Sequence, residues 1–302
     1  MRARGGWTKS TLAMLEKVRD VIEELRDFWP LTLRQIYYQL VGAGIIPNNR
    51  AAYSALSRLL TKARLDELVP WGAMEDRSRA MLNSGGWQDR EAFIESELEI
   101  LLKGYRRDLL QTQAVVPEVW IEKDALSRVC HQAAKPYCVP VVVARGFSSV
   151  SYLNEARERI HENHENGQRT VILYFGDLDP SGWAMLPAMM ETLAQEMGCD
   201  GMVEARRCAL TPAQVEAYSL PKNPDALKET DSRAKKYREE FGDLAVELDA
   251  LPPAILTELV DTAIRAELDL SLFEEEQHHQ HKDQHELEHI RAEIITLAEG
   301  LK

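Results

Sequence analysis

The stretch Val171-Ile-Leu-Tyr-Phe-Gly-Asp177-Leu-Asp179-Pro180-Ser181-Gly182 constrains the fold more than any other part of the chain. Its apolar run is rich in β-branched and aromatic residues, the pattern of a buried strand, and it stops at a glycine followed by two carboxylates flanking one leucine. Asp179 is placed to cap the next helix, Pro180 suits a first helical turn, and Gly182 lets the backbone turn closely against a sheet. The acids therefore lie at the carboxyl end of a strand, the edge where ligands bind in open α/β sheets. Two hard oxygen donors this close repel unless a cation lies between them, which favours Mg²⁺, with Mn²⁺ as the alternative. The structural alternative is one acid acting as a helix cap beside a solvated neighbour.

The surrounding sequence repeats the alternation. A strand is expected at Val115 to Ile121, a helix from Asp124 to about Tyr137, a strand at Val139 to Ala144 and a helix from about Val150 to His161. The strand above follows, then a helix from Pro180 to Met197 and a strand at Met202 to Ala209. Such alternation implies a parallel sheet covered on both faces. Glu122 ends the first strand as Asp177 ends the third. In a parallel sheet both ends point the same way, so the two acids can converge on one ion.

The first eighty residues differ from the rest. They hold 13 Lys plus Arg against 9 Asp plus Glu, leaving 23 against 40 for the remainder of a chain whose net charge is −13. A mildly basic unit joined to an acidic body is compatible with a DNA-reading module attached to a metal-binding one. Residues 11–27 carry Leu15, Val18, Ile22 and Leu25 at helical spacing, and the helix ends near Trp29-Pro30. Thr32 and Gln35 form a capping box, with Leu31 and Ile36 as its staple. The helix it opens has an apolar stripe at Leu33, Ile36, Tyr37 and Leu40. Tyr38 is rotated about 100° from Tyr37, one turn above Arg34, so Tyr37 reads as structural and Tyr38 as available for chemistry.

A third helix begins after Asn48-Asn49 and buries Leu56, Leu59, Leu60 and Ala63. Its other face shows Ser54, Arg58 and Lys62, with Arg50 and Arg64 nearby, groups suited to phosphates and base edges. Met74 to Arg79, including Arg77 and Arg79, reads as a short strand and basic wing. Three helices and a wing make a winged helix, a helix-turn-helix relative; a small helical bundle with a solvated cationic face is the alternative.

Ser84-Gly85-Gly86 marks a boundary. The expected organisation is a winged-helix domain at 1–83, a linker and long connecting helix (about Gln88 to Leu110) at 84–114, an α/β metal-binding domain at 115–212, and a helical extension at 213–302. That extension holds a cationic cluster at Lys228, Arg233, Lys235, Lys236 and Arg238, a helix from Pro252-Pro253 to about Leu268, and a His/Glu-rich tail. In the tail His281, His285 and His289 are spaced along one helical face, where a transition metal or plain solvent exposure are the two readings. No apolar run approaches the ~20 residues of a bilayer span, and no membrane association is expected. Met1 to Gly6 lacks the core of a secretion signal, so a cytoplasmic location is expected. Cys130, Cys138, Cys199 and Cys208 lack the close paired spacing of a zinc site and are expected to be reduced.

An acid after the first strand, Asp-x-Asp after the third, and then Pro-x-Gly resembles the Toprim fold of type II topoisomerases and related nucleases. With Arg34-Gln35-Ile36-Tyr37-Tyr38 on an upstream winged-helix segment, the chain is similar to the topoisomerase VI A subunit and the meiotic double-strand-break transesterases. It resembles stand-alone phage and bacterial relatives more than the two-subunit enzyme. The resemblance covers roughly residues 30–80 and 115–185. It implies Glu122, Asp177 and Asp179 as metal ligands, Tyr38 as nucleophile on double-stranded DNA, and a two-fold homodimer in which one protomer's Tyr38 meets the other's carboxylates. Arg34 would hold the phosphate or stabilise the phenolate. Two departures are visible: Gln35 stands where the family has an acid, and nothing in the chain reads as an ATPase, so strand passage would need a separate subunit. The competing expectations are a Toprim nuclease that activates water, in phage or plasmid defence, and a non-catalytic winged-helix regulator.

Overall fold

A computed structural model of the chain describes residues 6–75, 85–144, 150–223, 227 and 233–299. The chain divides into two compact units, Met1–Arg77 with Val115–Glu267, and Ser78–Ala114 with Leu268–Lys302. This division follows contacts, so it groups residues differently from the sequence spans above.

The first unit opens with three helices, α1 (Lys9–Glu24), α2 (Leu33–Gly42) and α3 (Arg50–Leu65). α1 buries Leu15, Val18, Val21 and Ile22. The capping box of α2 is complete: the Thr32 hydroxyl accepts from the Gln35 N–H at 3.3 Å, and the Gln35 side chain accepts from the Thr32 N–H at 2.8 Å. Leu31 and Ile36, the staple pair, are fully buried. Asn49 caps α3 by accepting from the Ala52 N–H. After α3 the chain returns to Leu31, whose N–H donates to Ala73 and whose carbonyl accepts from Glu75. The wing residues Arg77 and Arg79 lie outside the described residues.

The rest of this unit is an α/β body. Four parallel strands, β1 (Val115–Ile121), β2 (Val141–Val143), β3 (Arg169–Phe175) and β4 (Val203–Ala209), form one sheet in the order β2-β1-β3-β4. Alternating side chains serve the two faces. Trp120, Ile172, Tyr174 and Val203 enter a core with α6 (Val150–Glu165) and α7 (Pro180–Glu191), where Leu153, Ala156, Ile160, Met185 and Met189 are buried. Burial of each such large side chain contributes about 1.5–3 kcal/mol. The opposite face is covered by α5 (Ser127–Ala134) and α10 (Pro253–Glu267), which pack on each other and on β1. Two short helices, α8 (Pro212–Ala217) and α9 (Ala234–Phe241), lie between β4 and α10 in sequence.

The second unit contains α4 (Arg90–Ile100) and α11 (Leu270–Glu299). The expected connecting helix to Leu110 stops ten residues early: Leu102 takes a left-handed backbone, φ 60°, which no continuing helix tolerates. Arg291 donates to the carbonyls of Leu98 and Glu99, satisfying acceptors that the last turn leaves open. His281, His285 and His289 are exposed on α11, and the rings of the last two stand 4.7 Å apart. Cys130, Cys199 and Cys208 are free thiols. No helix among the described residues is long and apolar enough to cross a membrane.

Candidate active site at the carboxyl edge of the sheet

The strand order reverses direction between β1 and β3. The connection from β1 leads outward to β2, and that from β3 leads outward to β4, so a crevice opens between the two central strands at their carboxyl ends. Glu122 and Asp177 both face this switch point. The Glu122 N–H continues the ladder to the Phe175 carbonyl at 2.9 Å, and Glu122 Oε2 accepts from the Asp177 N–H at 2.9 Å. Asp179 caps α7 through the Gly182 N–H at 2.7 Å. Gly182 is required here: a Cβ at this position would stand 2.6 Å from the Asp177 carbonyl and 3.0 Å from Glu122 Oε2. The three acids separated in sequence are thus stitched to one turn.

Arg207 of β4 clamps that turn from the side. Its guanidinium donates to the Gly182 carbonyl at 2.7 Å and lies against the rings of Tyr174 and Trp183, 5.0 and 4.5 Å from their centroids.

A second acidic segment joins the edge from seventy residues further on. Leu178 and Val246 exchange backbone hydrogen bonds at 3.0 and 2.9 Å, and the Leu248 N–H donates to Asp177 Oδ1 at 2.8 Å. This docking delivers Glu247 and Asp249. Between the two segments lies the Lys123 ammonium, 2.7 Å from Asp177 Oδ2, 3.4 Å from Glu247 Oε2 and 3.9 Å from Asp249 Oδ2. Arg34 reaches the same carboxylates from α2: it pairs with Glu247, and its Nε stands 3.0 Å from Asp249 Oδ2. The guanidinium in turn lies 5.9 Å from the centre of the Tyr38 ring.

Burial governs the electrostatics. Glu122 is pushed up to about 7 by loss of hydration, reinforced by the charge of Asp177. Asp179 and Asp249 are also raised above the usual carboxylate range by burial, and Arg34 and Lys123 oppose the rise at Asp249. The Tyr38 phenol is raised by burial, with Arg34 acting in the opposite sense. These are strained charges that a bound cation would relieve. The carboxylates of Glu122, Asp177 and Asp179 suit a divalent ion of the Mg²⁺ class by donor chemistry, and such an ion would displace the Lys123 ammonium from Asp177 Oδ2. As they stand the side chains do not form a closed ligand set: among the described residues no group of three or more His, Cys, Asp or Glu is arranged to hold a metal ion.

Tyr38 is more enclosed than its position off the apolar stripe suggests. It is only 4% exposed, because α2 is buried on two flanks: its apolar stripe meets α1 and α3, while another side packs on the turn Leu248–Ala250. The helical period identifies the first flank only. Tyr37 is structural as expected, its hydroxyl bonding to Asn48 Oδ1 at 3.0 Å. Tyr38 lines a cavity of about 280 Å³ with Arg34, Arg50, Tyr53, Asn223 and Glu247.

Four of the cations expected to touch DNA, Arg50, Arg58, Lys62 and Arg64, lie on α3. Arg50 and Arg58 are exposed, and Arg50 borders the Tyr38 cavity. Lys62 instead stacks on Trp7, 4.2 Å from its ring centre, and Arg64 covers the Trp71 ring at 4.6 Å. Lys123, Glu247, Asp249 and Arg207 were not anticipated. One signal was present for two of them: Glu247-Leu248-Asp249 repeats the acid-leucine-acid pattern of Asp177-Leu178-Asp179.

Compared with known proteins, the chain matches no family model, no curated protein and no solved structure.

Proposed function

We propose that this protein cleaves double-stranded DNA by Mg²⁺-dependent transesterification, with residues 1–83 acting as a winged helix and 115–212 as a Toprim-type domain. The observation that carries the reading is the continuous run of charged contacts from Asp177 through Lys123, Asp249 and Arg34 to the flank of Tyr38. It joins an acidic sheet edge to a buried phenol bordering a cavity. A divalent ion held by Glu122, Asp177 and Asp179 would neutralise the scissile phosphate.

The side chains divide the remaining work. Arg34 stabilises the Tyr38 phenolate as its proton passes to water in the cavity. The phenolic oxygen then bonds to phosphorus, and the bond from phosphorus to the 3′ oxygen breaks. Glu122 would act as the general acid that returns a proton to that leaving oxygen. The product is a 5′-phosphotyrosyl link. Arg50 and Arg58, with Lys62, Arg64, Arg77 and Arg79, supply the phosphate contacts. The homodimer and the separate ATPase subunit implied by the resemblance belong to the same proposal.

The test is incubation with supercoiled plasmid and Mg²⁺, followed by denaturation. Covalent protein on DNA ends that disappears in Tyr38→Phe supports the reading. The raised Tyr38 phenol favours a second reading in which the acids activate water and Tyr38 only contacts phosphate; free ends from both proteins would establish it. DNA binding without cutting at any Mg²⁺ concentration would leave the regulator.

A further inference from the structure

We infer that His285 and His289 of α11 form a second metal site, separate from the sheet edge, for a transition-metal ion such as Zn²⁺ or Ni²⁺. The two residues lie four apart, so their side chains leave the helix on the same face, one turn above the other. Both are exposed, and their ring centroids stand 4.7 Å apart. Two imidazoles that share one ion need about that spacing. With metal–nitrogen bonds of about 2.0–2.1 Å and a near-tetrahedral angle, the ion lies roughly 3.2 Å from each ring centre, which puts the centres roughly 5 Å from each other. Neither ring is engaged in a hydrogen bond or an ion pair among the described residues. Sequence spacing offers two such pairs, His281 with His285 and His285 with His289. Among the described residues only the second has its rings in contact.

The donors select the ion. Imidazole suits Zn²⁺, Ni²⁺ and Cu²⁺, whereas Mg²⁺ takes oxygen ligands, so this pair and the carboxylates of the sheet edge favour different metals. No third His, Cys, Asp or Glu among the described residues completes a closed set around the pair, which leaves the other coordination positions to water.

Binding would act on the helix itself. From Glu274 to His289 the one apolar residue is Leu287, so this stretch gains little from apolar packing and depends on pairs one turn apart. An ion joining the two rings clamps a turn near the middle of a 30-residue helix and opposes its local opening.

Calorimetry of the full chain with Zn²⁺ tests this, with excess Mg²⁺ present throughout to compete for the sheet-edge carboxylates. Wild type is compared with His281→Gln, His285→Gln and His289→Gln, three exposed positions that carry none of the core. Removing either ring of the pair abolishes the second, intramolecular bond, so uptake is expected to weaken about 10²-fold in His285→Gln and in His289→Gln. His281→Gln is expected to bind as wild type does. No Zn²⁺ uptake by wild type, or uptake that survives both changes, overturns the site; in the second case zinc lies on the native thiols or on other histidines. Equal weakening in all three variants overturns the assignment to one pair.

Hydrogen exchange gives a second readout. Zn²⁺ is expected to slow amide exchange around residues 285–289 in wild type and to leave it unchanged in His289→Gln. Uptake without such protection overturns the clamp. Neither measurement involves DNA, so failure of the cleavage assay and failure of this site are distinguishable.

Discussion

Two clusters of Asp and Glu in this molecule behave oppositely. At the sheet edge, Glu122, Asp179 and Asp249 are all raised above the usual carboxylate range. In the second unit, Glu276 and Asp283 are held below it, Glu276 first by a hydrogen bond from Arg107 and Asp283 first by one from Tyr105. Arg107 serves both, at 2.5 Å from Glu276 and 2.9 Å from Asp283, and Gln111 adds a further donor to Glu276. The second cluster is satisfied and holds a helix in place. The first is crowded, with Lys123 and Arg34 shared among several carboxylates. Buried carboxylates that hold their protons above the usual range are more frequent at functional sites than in structural ion pairs.

The largest expected effect separates the two clusters by activity. Glu122→Gln keeps the shape of the site and removes its acid, so plasmid cleavage should fall roughly 10²–10⁴-fold. Arg107→Met in the second unit should leave the cleavage rate unchanged; a matching loss there would end the distinction.

Gly182→Ala tests how tightly the first cluster is built. The added methyl meets the Asp177 carbonyl at 2.6 Å, so urea unfolding should show a loss of about 1–3 kcal/mol, with weakened Mn²⁺ uptake by calorimetry. Wild-type stability and uptake in this variant would mean that the turn is looser than described.

Opposite pH responses follow from the opposite shifts. Between its ordinary value of 4.5 and about 7, Glu122 is protonated in the folded protein and ionised in the unfolded chain. The folded state then binds the extra proton, and stability contributed at low pH is lost as pH rises through about 7. In chelator, melting curves of Glu122→Gln should therefore decline less between pH 5 and pH 8 than those of wild type. Glu276 and Asp283, depressed in the folded state, contribute stability above their unfolded values that disappears as pH falls through their folded ones.

The smallest effect belongs to Arg107→Met, which should lower the melting temperature near neutral pH and flatten its decline on the acid side. An unchanged acid limb would show that the Arg107 contacts contribute nothing measurable to stability.

Much of the fold was legible because its signals are local. The capping box of Thr32 and Gln35 involves residues three apart, Asp179 and Gly182 meet within one turn, and the two central strands advertise themselves by largely apolar runs, β1 ended by Glu122 and β3 by Gly176. Convergence of Glu122 with Asp177 was also legible, because parallel topology fixes which strand ends share an edge. The burial of Tyr38 was not legible because a helical wheel counts one apolar stripe and is blind to a second partner. The long connecting helix was overextended because a residue entering the left-handed region leaves no mark in hydrophobic periodicity.

By itself, then, the sequence determined the alternating strands and helices, the caps that start α2, α3 and α7, and the meeting of three acids at one sheet edge, each through interactions spanning a few residues or one topological rule. The tertiary structure alone decided that Glu247 and Asp249 join that edge, that Lys123 sits among the carboxylates, and that Arg34 ties the tyrosine helix to the acids of its own chain. Those contacts link positions from 54 residues apart, Lys123 and Asp177, to 215 apart, Arg34 and Asp249. Their partners are selected by burial and charge in the packed molecule, which neighbouring residues along the chain do not encode.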